Sequence, residues 1–152
     1  RKFNIEEVDL LDNNLLISKN IAKKNLFDES YFLFFETFDF VHKLKLNGKK
    51  LYTIKKIKFK HLGASSLPKK FDNLVKKTRS FHYNWSKFYY LKKNFGYLYA
   101  LRKIIPNIIR GLKKLIINFI KLDFKEAQLN LLELYGALVS IFLLKSFFRP
   151  KN

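Results

Sequence analysis

Residues 81–122 read "FHYNWSKFYYLKKNFGYLYALRKIIPNIIRGLKKLIINFIKL". Apolar residues recur here at the three- and four-residue spacing of a helix face, and Gly96 breaks the pattern once. Extending the pattern outward predicts three helices over residues 70–95, 97–121 and 123–147, with Lys121-Leu122-Asp123 as the second break. Pro106 lacks an amide hydrogen, so the second helix is expected to kink or restart there.

The second helix carries two kinds of residue on its surface. Ile105, Ile108, Ile109, Leu112 and Ile116 form an apolar stripe, while Lys103, Arg110, Lys113, Lys114 and Lys121 supply cations. That combination suits a helix lying on an anionic membrane surface. The stretch 81–99 interleaves aromatics with Lys87, Lys92 and Lys93. It admits three readings: base stacking with phosphate neutralisation, packing of an ordinary amphipathic helix, or Trp and Tyr at lipid headgroup level. In "NLLELYGALVSIFLLKSFF" (130–148), Glu133 and Lys145 leave about eleven uncharged residues between them, too few to cross a bilayer.

Charge follows the same division. Residues 1–62 hold 13 Lys and Arg against 8 Asp and Glu, whereas residues 63–152 hold 18 against 4. A basic tail suits nucleic acid, anionic lipid or an anionic substrate. An apolar fraction of 48% argues against disorder despite 28% charged residues. The bias towards Lys, Asn, Ile and Phe has the look of an AT-rich coding sequence, which lessens what the high net charge of +19 implies by itself. Cysteine is absent, which excludes disulfides and thiolate metal sites. The sequence opens at Arg1 and contains no Met, so the expectation is a chain that begins partway through a longer protein.

Ahead of the boundary near residue 68 the pattern mixes strand and helix signals. Residues 6–18 place two short apolar runs around the polar turn Asp12-Asn13-Asn14. A short helix and loop follow, then a helix from Glu36 to Leu46 that Asn47-Gly48 stops. Alternation over Leu51, Thr53, Ile57, Phe59 and His61 predicts further strands. The reading is an α/β region over 1–68 and a basic helical region over 69–152.

The segment 27–40, "FDESYFLFFETFDF", sets Asp28, Glu29, Glu36 and Asp39 among six phenylalanines and a tyrosine. Glu36 and Asp39 are three apart, so a helix turns both to one face. Their first-turn position also suits the helix dipole, which by itself would make them solvent-facing end charges. The aromatic company points the other way: a desolvated carboxylate is a usable general base near neutral pH. His61, at the end of a predicted strand before Leu62-Gly63, could donate to a divalent ion, although one histidine is not a site. His42 and His82 have no comparable setting.

Taken in order, "VDLLDNNLLIS", "FDESYFLFFETFDFVHKL", "IKFKHLGASS" and "SFHYNWSKFYYLKKNFG" resemble the C-terminal portion of bacterial family 2 glycosyltransferases, including rhamnosyltransferase-like members of polysaccharide assembly. The resemblance spans residues 6–100. It implies an α/β chain: the C-terminal part of a GT-A (Rossmann-like) domain over 1–68, then a helical extension over 69–152. It implies an inverting enzyme that transfers sugar from a nucleoside-diphosphate donor to a lipid-linked or polysaccharide acceptor. Glu36 and Asp39 would be the catalytic carboxylates, His61 a ligand of Mg²⁺ or Mn²⁺, and Asp12, Asn13 and Asn14 the acceptor pocket. The helical extension would lie on the cytoplasmic face of the cell membrane.

Two departures accompany the resemblance. Glu36-Thr37 stands where the family commonly has Glu-Asp, and neither an Asp-x-Asp metal motif nor a Gly-rich phosphate loop occurs. The nucleotide-binding half is thus missing, and this chain alone is expected to be inactive. The competing reading is a basic RNA-binding or ribosome-associated protein. It leaves the acids at 28–39 unexplained, since they would repel phosphate.

Overall fold

The computed structural model describes residues 4–9, 15–24, 26–58, 60 and 68–149. Of these, 65% are helical and 6% lie in strands. The chain divides into two compact units: residues 1–29 with 35–66, and residues 30–34 with 67–152.

The first unit contains strand β1 (Ile5–Val8), helices α1 (Lys19–Lys24) and α2 (Glu36–Leu46), and strand β2 (Leu51–Ile54). The strands pair antiparallel, with Ile5 opposite Ile54 and Val8 opposite Leu51. Glu7 and Lys50 form an ion pair across them at 3.0 Å. Phe40, Val41, Leu44 and Leu51 form the core, covered by Val8, Leu15, Ile17 and Ile21. Phe27 stacks on Phe40 at 4.4 Å. Helix α2 ends where Asn47-Gly48 predicts: Gly48 takes φ +70°, and the Lys49 amide returns to the Leu44 carbonyl.

The Rossmann-like α/β expectation is overturned. Among the described residues the sheet has two short strands, and they are antiparallel. A doubly wound sheet needs parallel strands joined by helical crossovers with helices on both faces. Alternation is a local signal, and a run becomes a strand only where a neighbour supplies its hydrogen bonds. Among the described residues the run Leu15–Ser18 finds none and leads into α1. Of the predicted alternation from Leu51, only Leu51–Ile54 pairs among the described residues.

The second unit is a three-helix bundle of α3 (Asp72–Phe95), α4 (Tyr97–Ile120) and α5 (Phe124–Ile141), preceded by a 3₁₀ turn at Lys69–Phe71. Gly96, at φ +91°, makes the α3–α4 corner with its amide bonded to the Lys92 carbonyl. The α4–α5 corner uses Leu122 at φ +57° and then Asp123, whose carboxylate accepts from the Glu126 amide at 3.1 Å and caps α5. Helix α4 runs through Pro106 without restarting. The missing amide leaves the Arg102 carbonyl without its usual partner on an exposed turn, where water can serve it.

Two clusters fill the bundle: Phe88, Ala100, Ile104 and Ala137, and Phe81, Trp85 and Val139. Helices α3 and α5 approach so closely that a Cβ on Gly136 would stand 2.0 Å from the Phe81 carbonyl oxygen. A chain of amides crosses all three helices. Lys87 Nζ donates to Asn107 Oδ1 at 3.2 Å, Asn107 Nδ2 to Asn84 Oδ1 at 2.9 Å, and Asn84 Nδ2 to the Glu133 carbonyl at 3.2 Å. Asn84 is fully buried, so this chain satisfies polar groups that would otherwise be stranded in the core.

Candidate functional site

The aromatic-acidic segment 27–40 is shared between the two units. Residues 30–34 run along α3: Tyr31 meets the Tyr89 ring edge-on at 5.0 Å, Phe34 meets Tyr83 at 5.6 Å, and the Leu33 carbonyl accepts from Ser86 Oγ at 2.6 Å. Phe34 and Phe35 then both take left-handed backbone, at φ +66° and +63°. For bulky residues this costs on the order of 1–3 kcal/mol each. The strained pair ends at the first residue of α2, Glu36.

Glu36 and Asp39 sit in the first turn of α2, as the spacing predicts. Asp39 is buried at 4% exposure, and the Phe35 and Phe38 rings lie 5.5 Å apart beside this turn. Glu36 is half-buried, but its Oε2 is closed off from solvent and has no hydrogen-bond partner among the described residues. An unpartnered buried carboxylate oxygen is costly, and nearly all such atoms in folded proteins are satisfied. Its position at a helix N-terminus offsets part of that cost.

The remaining sequence-derived site residues, Asp12, Asn13, Asn14 and His61, lie outside the described residues. No group of three or more His, Cys, Asp or Glu side chains that could hold a metal ion occurs among the described residues.

The second candidate surface is on the helical unit. Leu98, Ile105, Ile109, Leu112, Ile116 and Phe119 share one face of α4 and are all exposed, from 44% at Ile105 to 74% at Leu98. Ala100, Ile104 and Gly111, about a third of the way round the helix from that stripe, are buried in the bundle. Arg102 and Lys113, both exposed, flank the apolar stripe, and the exposed Lys103, Arg110 and Lys114 lie farther round α4, towards the side opposite it. No described helix is long and apolar enough to cross a membrane.

Sequence reasoning missed the polar groups buried in the bundle. His82 is fully buried. Its Nε2–H donates to the Phe148 carbonyl at 2.9 Å, which only accepts, so Nδ1 is left to accept from Ser146 Oγ at 2.9 Å. Burial holds this imidazole below its ordinary value, with the Arg149 guanidinium acting in the same direction against the carbonyl hydrogen bond. Trp85 Nε1 donates to the Leu144 carbonyl, so the two residues together tie residues 144–148 to α3. The available signal was position: His82 and Trp85 share α3 with Phe81 and Phe88, on or beside its apolar face.

No protein-family model, curated protein or solved structure matches the chain.

Proposed function

We propose that this chain is the acceptor-side, membrane-facing part of an inverting sugar transferase. It would act with a nucleoside-diphosphate sugar donor on a lipid-linked or polysaccharide acceptor, at the cytoplasmic surface of the cell membrane. The observation that carries the reading is the buried, unpartnered Oε2 of Glu36, within a segment whose motifs resemble family 2 glycosyltransferases. Glu36 is the general base. The acceptor hydroxyl oxygen attacks the anomeric carbon, its proton passes to Glu36 Oε2, and the nucleoside diphosphate leaves with the electron pair of the broken C–O bond. Attack opposite the leaving group inverts the configuration. Asp39, one turn along α2, orients the acceptor. The roles of Asp12, Asn13 and Asn14 at the acceptor, and of His61 at a divalent ion, rest on the resemblance alone. The exposed stripe of α4 with its cationic flank supports the membrane-surface placement.

The test is sugar transfer by the full-length protein carrying this sequence. Glu36→Gln keeps the shape and removes the base, and a loss of about 10²–10⁴ in kcat is expected. Melting temperature should hold or rise, because the variant no longer buries an unpartnered carboxylate. An unchanged rate refutes Glu36 as base. A lost rate accompanied by a lower melting temperature assigns Glu36 to structure instead.

A further inference from the structure

Helix α5 carries a second exposed apolar stripe. Phe124, Leu131, Tyr135 and Leu138 stand at i, i+7, i+11 and i+14, on one side of the helix, and each is at least 44% exposed. Helices α4 and α5 run antiparallel, since the Phe119 and Phe124 rings meet edge-on at 5.9 Å across the corner and Gly111 lies against Leu134 farther along. Round α4 the order is Asn107, bonded to α3, then Gly111, closed against α5, then the exposed stripe. Round α5 the order is Gly136, closed against Phe81 of α3, then Leu134, then the exposed stripe. Antiparallel helices wind in opposite senses when viewed from one end, so both stripes emerge on the same side of the bundle, away from α3. They form one apolar face across the α4–α5 pair, joined at the corner by Phe119 and Phe124.

Charge selects what covers this face. Helix α4 contains no Asp or Glu, and Glu126 and Glu133 stand on the side of α5 opposite its stripe. Asp123, at the corner, is engaged in capping α5. The exposed Arg102 and Lys113 border the face along α4. A second copy of the chain would bring like charge against like, since residues 63–152 hold 18 Lys and Arg against 4 Asp and Glu. An anionic lipid surface supplies both hydrocarbon for the face and negative headgroups for its border. We infer that the outward face of the α4–α5 pair lies in the surface of an anionic phospholipid bilayer, with both helices along the membrane plane and α3 on the side away from the lipid. This rests on the membrane-surface placement of the helical unit and extends it from one helix to two.

The experiment is co-sedimentation of the full chain with phosphatidylcholine vesicles, with and without phosphatidylglycerol. Two apolar variants are compared, Ile109→Ser with Ile116→Ser on α4 and Leu131→Ser with Leu138→Ser on α5. All four positions are exposed, and circular dichroism verifies that the variants fold. Each pair should weaken binding to phosphatidylglycerol vesicles by at least about tenfold. Arg102→Gln with Lys113→Gln should weaken it by roughly fivefold per charge. Lys70→Gln with Lys76→Gln, at the start of α3, should leave it within about twofold, because the attraction fades over a Debye length of about 8 Å. Leu131→Trp should add fluorescence that brominated phosphatidylglycerol quenches, while Trp85, buried on α3, stays unquenched in the parent chain. Unchanged binding by the α5 pair, beside a loss in the α4 pair, overturns the two-helix face and leaves the membrane placement intact. Absence of vesicle binding by the parent chain overturns both. A dimer in light scattering that the serine pairs dissociate assigns the face to a second copy and overturns the lipid surface.

Discussion

Gly136→Ala is the sharpest test of the bundle, because two opposing effects can be weighed from the structure. In a helix with open space around it, this change stabilises by about 0.8–1 kcal/mol through backbone propensity. At Gly136 the new methyl carbon would stand 2.0 Å from the Phe81 carbonyl oxygen and 2.9 Å from its carbonyl carbon. Both obstructing atoms are backbone, so no rotamer change relieves them. Restoring ordinary contact requires α3 and α5 to part by more than an ångström, which loosens Phe81, Trp85 and Val139 together. Overpacking of this kind costs about 1–3 kcal/mol, and the loss of close packing along the seam places it at the upper end. The balance is net destabilisation of about 1–2 kcal/mol, a fall of several degrees in melting temperature for a chain of this size. Gly111→Ala is the internal control, since its methyl meets only the Leu134 side chain, at 2.9 Å to Cδ2. That side chain can rotate away, so Gly111→Ala should be near neutral. Thermal unfolding followed by circular dichroism decides the matter. A higher melting temperature for Gly136→Ala would show that the helices do not approach as described.

Two further outcomes follow from the same unit. Protonation of His82 conflicts with its burial and with Arg149, so its folded value lies below the unfolded value near 6.5. The stability it contributes is complete above that unfolded value and is lost as pH falls from there through the folded value. Melting temperature should therefore decline on acidification below neutrality and do so less steeply in His82→Gln; parallel profiles would refute this. Asp123→Ala removes the α5 cap and should cost about 1 kcal/mol, read as a lower denaturant midpoint with unchanged slope. An unaltered midpoint would show that the cap contributes nothing.

Most helix boundaries were legible because their signals are local. Gly96 and Asp123 act on the backbone within a turn of themselves, and Asn47-Gly48 stops α2 in the same way. The candidate carboxylates were legible for a similar reason, since a spacing of three on a helix sets a shared face wherever the helix goes. The sheet was not legible, because Leu15–Ser18 and Leu51–Ile54 carry comparable strand signals and, among the described residues, only the second finds a partner. Nor was the division of the segment 27–40. Nothing in "FDESYFLFFETFDF" marks Tyr31, Phe32 and Phe34 as belonging against α3 while Phe27, Phe38 and Phe40 belong with the first unit.

By itself, the sequence determined the first two long helices, the start but not the end of the third, which stops at Ile141 rather than at 147, the basic character of residues 63–152, the amphipathic face of α4 and the pairing of Glu36 with Asp39. Each depends on covalent geometry and on residues within a few positions along the chain. Tertiary structure alone decided that the described residues of the first unit make a two-stranded ribbon with helices, that Glu36 Oε2 is buried without a hydrogen-bond partner among the described residues, and that Lys87 donates to Asn107 at the α3–α4 seam. Those facts depend on which distant segments exclude water from a given atom, and burial is a property of the assembled fold.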